Sequence, residues 1–190
     1  MPAKYPEIQF TAPVRDVQTE NGSRSHIEHM QAMPIDDERL SPTELAFIGQ
    51  RDSFYIGTVN PDGWPYIQHR GGPRGFLRVL GERLLGFADF AGNRQYISLG
   101  NARANDRVSL FLMDYANKAR LKILAHMETV DLAERPELGN CLVDPAYRAK
   151  VERGVLFHVV AFDWNCPQHI TRRFTEDQLL ALGWTPPGAG

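Results

Sequence analysis

Three polar side chains stand next to one another near the middle of the chain: the amide of Gln68, the imidazole of His69 and the guanidinium of Arg70. Two glycines, Gly71 and Gly72, follow directly. Amide and guanidinium groups donate hydrogen bonds to carbonyl and phosphate oxygens, and an imidazole also exchanges protons near neutral pH. Because glycine has no side chain, the backbone there can lie close to a flat ligand. We therefore predict a binding site for a planar molecule here.

A second polar segment, residues 92–95, joins a predicted strand to a predicted helix. Asn93 is a predicted N-cap of that helix, and the free amides of a first helical turn attract anions. Arg94 adds the positive charge that a phosphate monoester needs. The alternative is a capped surface helix whose arginine lies in water.

Short strands with turn signals between them surround these two segments. A hairpin turn is predicted at residues 60–63, because Pro61 presets φ and Gly63 supplies a positive φ. The pattern predicts strands over residues 53–60, 64–70, 76–80, 84–89, 106–113, 120–130 and 155–164. This spacing favours a barrel or sandwich over a doubly wound sheet. The predicted fold is mainly β, a β-barrel with flanking helices.

Helices are predicted around these strands. Ser41, Pro42 and Glu44 form a helix start with a capping box, and Thr175 caps a short helix over residues 175–182. Further helices are predicted within residues 14–33, 93–105 and 135–152, the last interrupted by Pro145. We divide the chain into a helical or extended arm at residues 1–40, a barrel domain at 41–174, and a short helix and tail at 175–190. The last five residues are predicted to be disordered.

Three segments together resemble the FMN-binding split-barrel proteins related to pyridoxamine 5'-phosphate oxidase, and the likeness extends over about residues 41–172. They are residues 65–73 (PYIQHRGGP), 89–101 (DFAGNRQYISLGN) and 164–170 (WNCPQHI). The resemblance implies a split β-barrel, FMN as the cofactor, and a homodimer whose subunit groove holds the flavin.

The resemblance also implies roles for particular residues. The flavin ring would be lined by Gln68, His69, Arg70 and Gly71, its phosphate would be held by Asn93, Arg94 and Gln95, and the subunit groove would include Gln168 and His169. Where the oxidase tends to have Arg-Lys, this chain has Arg94 and Gln95, so one positive charge is missing.

Arg120 and Lys122 are candidates to supply the missing charge. Residues two apart in a strand share a face, so both side chains can point to one side while Leu121 and Ile123 point to the core. The alternative is a solvated strand face. For Gln168 and His169, the alternative is a polar turn in water.

The function that these features imply is that of an FMN-dependent oxidoreductase acting on an unidentified small molecule, with NADH or NADPH as a candidate electron donor. We assign no catalytic residue, because the cofactor carries most of the chemistry in flavin enzymes.

One alternative is the pyridoxamine 5'-phosphate oxidase reaction itself. Against it, Trp184 is not followed by the arginine of a Trp-x-Arg element, and Pro73 stands where the oxidase usually has a basic residue. A non-catalytic flavin- or haem-binding module is the other alternative, and a deazaflavin reductase is disfavoured by the predicted phosphate loop.

Composition narrows the class of protein further. With 190 residues, 43% of them hydrophobic, the chain can bury a substantial core, and a net charge of -2 argues against a nucleic-acid partner. The sequence has no signal-peptide pattern and no apolar run of about 18 residues, so we expect a cytoplasmic protein with no membrane association. Cys141 and Cys166 are expected to be reduced thiols. Of the six histidines, His26 and His29 are at helical spacing, but no thiolate or carboxylate motif accompanies them, so no zinc site is expected.

Overall fold

The computed structural model describes residues 3–32, 35–164 and 168–185 of the chain. In chain order, its elements are α1 (Lys4–Gln9), α2 (Ala12–Glu20), α3 (Arg24–Gln31), α4 (Pro42–Ile48), β1 (Ser53–Val59), β2 (Pro65–Gly71), β3 (Arg78–Gly81), β4 (Leu84–Phe90), α5 (Ile97–Ala104), β5 (Arg107–Asp114), β6 (Ala119–Val130), α6 (Pro136–Leu142), β7 (Val151–Trp164) and α7 (Glu176–Ala181). The seven predicted strands are confirmed, and the fold is mainly β with flanking helices. No helix within the described ranges is long and apolar enough to cross a membrane.

The strands form one antiparallel sheet in the order β2-β1-β5-β6-β7-β4-β3. The hairpin between β1 and β2 turns as predicted: the amide of Gly63 donates to the carbonyl of Asn60 at 3.0 Å, and Gly63 has φ +87°. The side chain of Asn60 also accepts from the amide of Trp64 at 2.8 Å. The turn therefore fixes the register of β2, the strand that carries Gln68 and Arg70.

The sheet curls until strands that are distant in its order touch. Phe54 of β1 and Phe87 of β4 have ring centroids 5.5 Å apart, although β5, β6 and β7 lie between these strands in the sheet. In a flat sheet the same strands would lie roughly 19 Å apart, at about 4.8 Å per strand. The inner faces of the strands therefore enclose one core, as a barrel requires.

Aromatic rings and branched aliphatic side chains fill this core. Phe157 packs on Phe87 at 5.8 Å, and Phe76 packs on Phe54 at 5.7 Å. The largest fully buried side chains are Phe54, Phe157, Ile48, Ile56, Leu77, Leu85, Leu110, Leu112, Leu121, Ile123 and Val155. A second, smaller cluster lies outside the barrel, where α6 packs against β4 and β7. Strand β4 is therefore covered on both faces, which holds it rigidly beside the candidate site.

The helix start predicted at Ser41 is confirmed in full. The Ser41 hydroxyl accepts from the amide of Thr43 at 3.2 Å, and the Glu44 carboxylate accepts from the amide of Ser41 at 2.9 Å. Glu44 also accepts a hydrogen bond from the indole of Trp164 at 2.7 Å, and Trp164 packs edge-on against Phe47. The cap therefore ties α4 to the end of β7.

A buried carboxylate, that of Asp37, fastens the start of α1 to the end of the N-terminal arm, and the backbone carbonyl of Asp37 accepts from the amide of Phe162 in β7 at 2.7 Å. Asp37 accepts hydrogen bonds from the backbone amides of Lys4 and Tyr5 at 2.7 and 2.6 Å, which satisfies the free donors at the start of α1. Helix α1 packs against β7. By contrast, α2 and α3 bury none of their residues.

Three predicted helices differ from the structure. Residues 14–33 were expected to form one helix. The structure has two, α2 and α3, separated by a turn at Asn21 and Gly22, and Gly22 has φ +69°. The helix after β4 begins only at Ile97. The insertion predicted at 135–152 is helical only over Pro136–Leu142, because β7 already begins at Val151. The short helix behind Thr175 is confirmed, with Thr175 accepting from the amide of Gln178. Cys166 and residues 186–190 lie outside the described residues.

Candidate functional site

Strand β2 divides the predicted ring-binding residues between two faces. Gln68 and Arg70 are half-buried and point to one side, whereas His69 is exposed on the other. The carbonyl oxygen of the Gln68 side chain accepts a hydrogen bond from the Ser98 hydroxyl at 2.8 Å, which joins β2 to α5. His69 instead packs edge-on against Tyr55, with ring centroids 5.5 Å apart. Gln68 and Arg70 therefore belong to one site, and His69 does not share it within the protomer.

Arg70 faces a buried carboxylate that a second arginine also approaches. Asp89 is 3% exposed; its Oδ1 lies 3.2 Å from a terminal nitrogen of Arg70, and its Oδ2 lies 3.5 Å from Nε of Arg153. Asp89 and Arg153 are paired in the register of β4 and β7. Burial raises the pKa of Asp89, although the charges of Arg70 and Arg153 act in the opposite direction. The three residues bring β2, β4 and β7 together.

The donors of these arginines are not used up by Asp89. The Nε atoms of Arg70 and Arg153 are both buried, and neither has a hydrogen-bond partner among the described residues. Buried donors in proteins are nearly always hydrogen-bonded, and Nε of Arg78 and of Arg120 are exceptions of the same kind among the described residues. A guanidinium group carries five N–H donors, so Arg70 and Arg153 keep donors that Asp89 and Glu152 do not occupy.

The loop of residues 91–96 adds a third arginine. Nε of Arg94 donates to the Tyr96 hydroxyl at 3.3 Å, and that hydroxyl donates to Oε1 of Glu152 at 3.1 Å. Glu152 also accepts from Arg153 at 2.8 Å, and this hydrogen bond is the largest influence lowering its pKa. A continuous chain of contacts thus runs from Arg94 through Tyr96, Glu152 and Arg153 to Asp89.

The arrangement suits a phosphate better than any neutral group. Three arginines, Arg70, Arg94 and Arg153, face two carboxylates, Asp89 and Glu152, so positive charge is in excess. Guanidinium groups bind phosphate oxygens in pairs through strong charge-assisted hydrogen bonds. The N–H donors of the three guanidinium groups meet the requirement of an oxyanion for donors.

Comparisons with known proteins support the fold. No family model matches the sequence, and no curated protein matches it. A structure from Lactobacillus delbrueckii, provisionally described as a pyridoxamine 5'-phosphate oxidase, is 15% identical with a TM-score of 0.51, over 68% of this chain and 97% of that one. HupZ from group A Streptococcus is 12% identical with a TM-score of 0.50, over 71% of this chain and all of that one. The fold is the split barrel of the pyridoxamine 5'-phosphate oxidase-like proteins. Identities this low establish the fold alone.

One predicted role in this split barrel is wrong. Asn93 is not the N-cap of the helix after β4, because that position is occupied by Tyr96. The side-chain oxygen of Asn93 instead accepts from the amide of Gln95 at 3.2 Å, which closes a short turn. The free amides of α5 therefore lie beyond Tyr96, and the positive charge near the loop comes from arginine side chains.

The two glycines at the end of β2 have a packing role in the split barrel. A Cβ on Gly72 would lie 2.7 Å from the Phe76 ring, and a Cβ on Gly71 would lie 3.1 Å from the His69 ring. The amide of Gly72 donates to the carbonyl of Asp52 at 2.9 Å. Gly72 is thus required by a core aromatic side chain, which the prediction of a ligand-facing backbone did not anticipate.

Arg120 and Lys122 share one face of β6, as predicted, but the register places them away from the arginine cluster. They lie where β6 pairs with the end of β7, near Trp164, whereas the loop after β4 lies where β7 begins. Lys122 lies 2.6 Å from Asp163 and above the ring of Tyr5. Within one protomer, its charge is paired with that of Asp163.

Gln168 and His169 form an exposed turn beyond β7, where His169 has φ +61°. His169 lines an open depression with Lys118, Ile170 and Arg172. The protomer does not bring this turn into the arginine cluster, and residues 165–167 of the same motif lie outside the described residues. Among the residues that the structure does describe, no three histidine, cysteine or carboxylate side chains are placed to hold a metal ion.

Sequence reasoning missed Arg153 and Glu152. The charged residues before Gly154 resembled the continuation of a helix, so they were not considered as the start of a strand. Alternation gives no signal here, because the charged Glu152 and Arg153 are adjacent and Arg153 shares a strand face with the apolar Val151. Asp89 lay within a recognised motif, but nothing in the sequence showed that two arginines flank it.

Proposed function

We propose that this chain is a flavoprotein that binds FMN and acts as an oxidoreductase on a small molecule, with the flavin held between two copies of the chain. The observation that carries the proposal is the buried Asp89 flanked by Arg70 and Arg153, with Nε of Arg70 buried and without a hydrogen-bond partner among the described residues. An FMN phosphate is a dianion with several acceptor oxygens, which is the complement of such a cluster.

The phosphate would be held by side chains from three elements. Arg70 comes from β2, Arg153 from β7 and Arg94 from the loop after β4. Asp89 keeps the first two apart and oriented, because each interacts with a different carboxylate oxygen. The site thus presents its positive charge before the ligand arrives, which reduces the ordering cost of binding.

The flavin ring would lie beside Gln68. Its side-chain oxygen is engaged by the Ser98 hydroxyl, which leaves the amide nitrogen to donate to a ring carbonyl. When bound, FMN would supply the hydride and electron transfer chemistry, and the protein side chains orient the ring and tune its potential. Gly71, Asn93 and Gln95 lie on the same segments and remain proposed contacts, as do Gln168 and His169 from a second copy.

The proposed dimer is supported by the outer face of β2, β1 and β5. This face is apolar where an antiparallel sheet that faces water is usually polar. Ile67 is 70% exposed and lies with Tyr55, Val59 and Phe111 around a depression of about 690 Å³ floored by Gly57. Strand β2 is an edge strand whose alternate residues point to this face and to the arginine cluster, so a second copy that extends past this edge would reach the flavin.

Absorption spectra test the proposal against its alternatives. The purified apo-protein is titrated with FMN and, separately, with haem, and the flavin and Soret bands are followed. Saturable binding of FMN, followed by bleaching of the flavin when NADH or NADPH is added without air, supports an oxidoreductase. Binding of haem alone would overturn the proposal. If FMN binds but no donor reduces it, the protein is a flavin-binding module and the oxidoreductase part of the proposal is wrong. Oxidation of pyridoxamine 5'-phosphate by the loaded protein would identify the known oxidase reaction.

A further inference from the structure

The loop of residues 91–96 has a backbone conformation that needs external support. Arg94 and Tyr96 have φ of +59° and +54°, in the left-handed region that residues other than glycine rarely adopt. Such a conformation is strained and persists only where the surrounding structure imposes it. All six residues of the loop are exposed, so burial of its side chains does not impose the conformation.

The side chain of Tyr96 makes the contacts that tie this loop to the barrel. Its hydroxyl accepts from Arg94 at 3.3 Å and donates to Glu152 of β7 at 3.1 Å. The guanidinium of Arg153 lies over its ring, 5.2 Å from the centroid. One residue therefore contacts two of the three arginines in the cluster and the carboxylate between them.

We infer that Tyr96 is a positioning residue for the phosphate of the bound ligand. Its hydroxyl fixes the direction of the Arg94 side chain and anchors the loop to Glu152, while its ring supports Arg153. This inference rests on the proposed function, because the ligand is taken to be a phosphate monoester on a flavin. Tyr96 acts through Arg94, and we infer no contact between Tyr96 and the flavin ring.

The positioning role can be tested by removing one atom, the hydroxyl oxygen of Tyr96. Tyr96→Phe removes the hydroxyl and keeps the ring under Arg153. The variant loses the hydrogen bonds of the hydroxyl to Arg94 and Glu152. Loss of the bond that orients the charged Arg94 costs about 1.4 kcal/mol, so the affinity for FMN should fall about tenfold. Riboflavin has the same ring and no phosphate, so its affinity should stay unchanged.

The experiment titrates FMN and riboflavin into the apo-forms of wild type, Tyr96→Phe, Arg94→Gln and the double variant, by quenching of flavin fluorescence. Tyr115→Phe is a matched control, because Tyr115 also lies under an arginine, Arg173, at 4.9 Å. Circular dichroism and thermal unfolding verify that each variant is folded. If Tyr96 acts through Arg94, then Tyr96→Phe has no further effect once Arg94→Gln is present.

The outcomes separate this inference from the proposed function. If wild type binds FMN no more tightly than riboflavin, the proposed phosphate site is wrong. If wild type prefers FMN but Tyr96→Phe keeps the full preference, Tyr96 has no positioning role. Equal losses for both flavins, or additive effects of Tyr96→Phe and Arg94→Gln, would also overturn the inference, because they indicate general damage to the site.

Discussion

Arg153 and Asp89 face each other across β7 and β4, with Nε of Arg153 3.5 Å from Oδ2 of Asp89. Arg70 reaches the other oxygen of Asp89 from β2, the opposite edge of the curled sheet. This triad joins strands that are far apart in the sheet order and concentrates positive charge beside the loop of residues 91–96. We propose that this cluster supplies the positive charge that is missing at Gln95, where the oxidase tends to have a lysine.

We predict that the apolar face of β2, β1 and β5 forms a dimer interface. A single substitution on this face should then weaken dimerisation. Ile67→Asp places a carboxylate at a position that is 70% exposed in the protomer, so the monomer should keep its fold. In the dimer the charge would be desolvated, and association should weaken at least tenfold. Light scattering over a range of concentrations measures the change. Val17→Asp, on an exposed face of α2, is the matched control, and an Ile67→Asp protein that dimerises like wild type would exclude this face as the interface.

The ion pair between Arg51 and Asp114 is predicted to stabilise the barrel. The two groups lie 2.9 Å apart and are largely buried, and Arg51 also donates to the carbonyls of Phe47 and Met113. Arg51→Met leaves Asp114 buried without its cation, so the free energy of unfolding should fall by about 3 kcal/mol. Urea denaturation gives the value. The exposed pair of Arg135 and Glu137 provides the control, because Arg135→Gln should leave the midpoint unchanged.

We predict that the free energy of unfolding decreases in acid because of Glu44. Burial raises the pKa of Glu44, but hydrogen bonds from Ser41 and Trp164 lower it by more, so the net pKa lies below its ordinary value of 4.5. The folded state therefore favours the carboxylate. Its contribution is present above pH 4.5 and is lost as the pH falls through the lowered pKa.

Glu44→Gln tests this dependence. The amide cannot accept from Ser41 and Trp164 equally well, so the variant should be less stable than wild type at pH 7, and the difference should shrink below pH 4.5. Trp164→Phe removes the indole donor and should reproduce part of the effect. Unfolding free energies measured at several pH values check both variants. A difference between Glu44→Gln and wild type that stays constant from pH 7 to pH 3.5 would show that Glu44 does not act through its charge.

Local signals in the sequence predicted much of the fold. The Asn60–Gly63 turn and the Ser41 capping box were predictable because each depends on residues a few positions apart. The face shared by Arg120 and Lys122 was predictable for the same reason, since alternation along a strand is a local property. Strand positions followed from these signals to within a few residues, with β7 as the main exception.

The candidate site was less predictable, because it is assembled by long-range contacts. Asp89 meets Arg70 only because the sheet curls, and curling depends on packing among aromatic residues such as Phe54 and Phe87. Arg153 was missed because the charged residues before Gly154 resembled a helix. The requirement for Gly72 arises from Phe76, and nothing in the local sequence reveals that contact.

The affinity of FMN for Arg153→Gln tests the central claim most directly. Arg153→Gln and Lys122→Gln each remove one partly buried cation that is paired with an aspartate on neighbouring strands, so they are closely matched variants. Titration of both apo-proteins and wild type with FMN gives three dissociation constants. The account predicts that Arg153→Gln weakens FMN binding about tenfold or more, while Lys122→Gln leaves it unchanged. Undiminished affinity in Arg153→Gln, or a larger loss in Lys122→Gln, would contradict the placement of the phosphate beside Asp89.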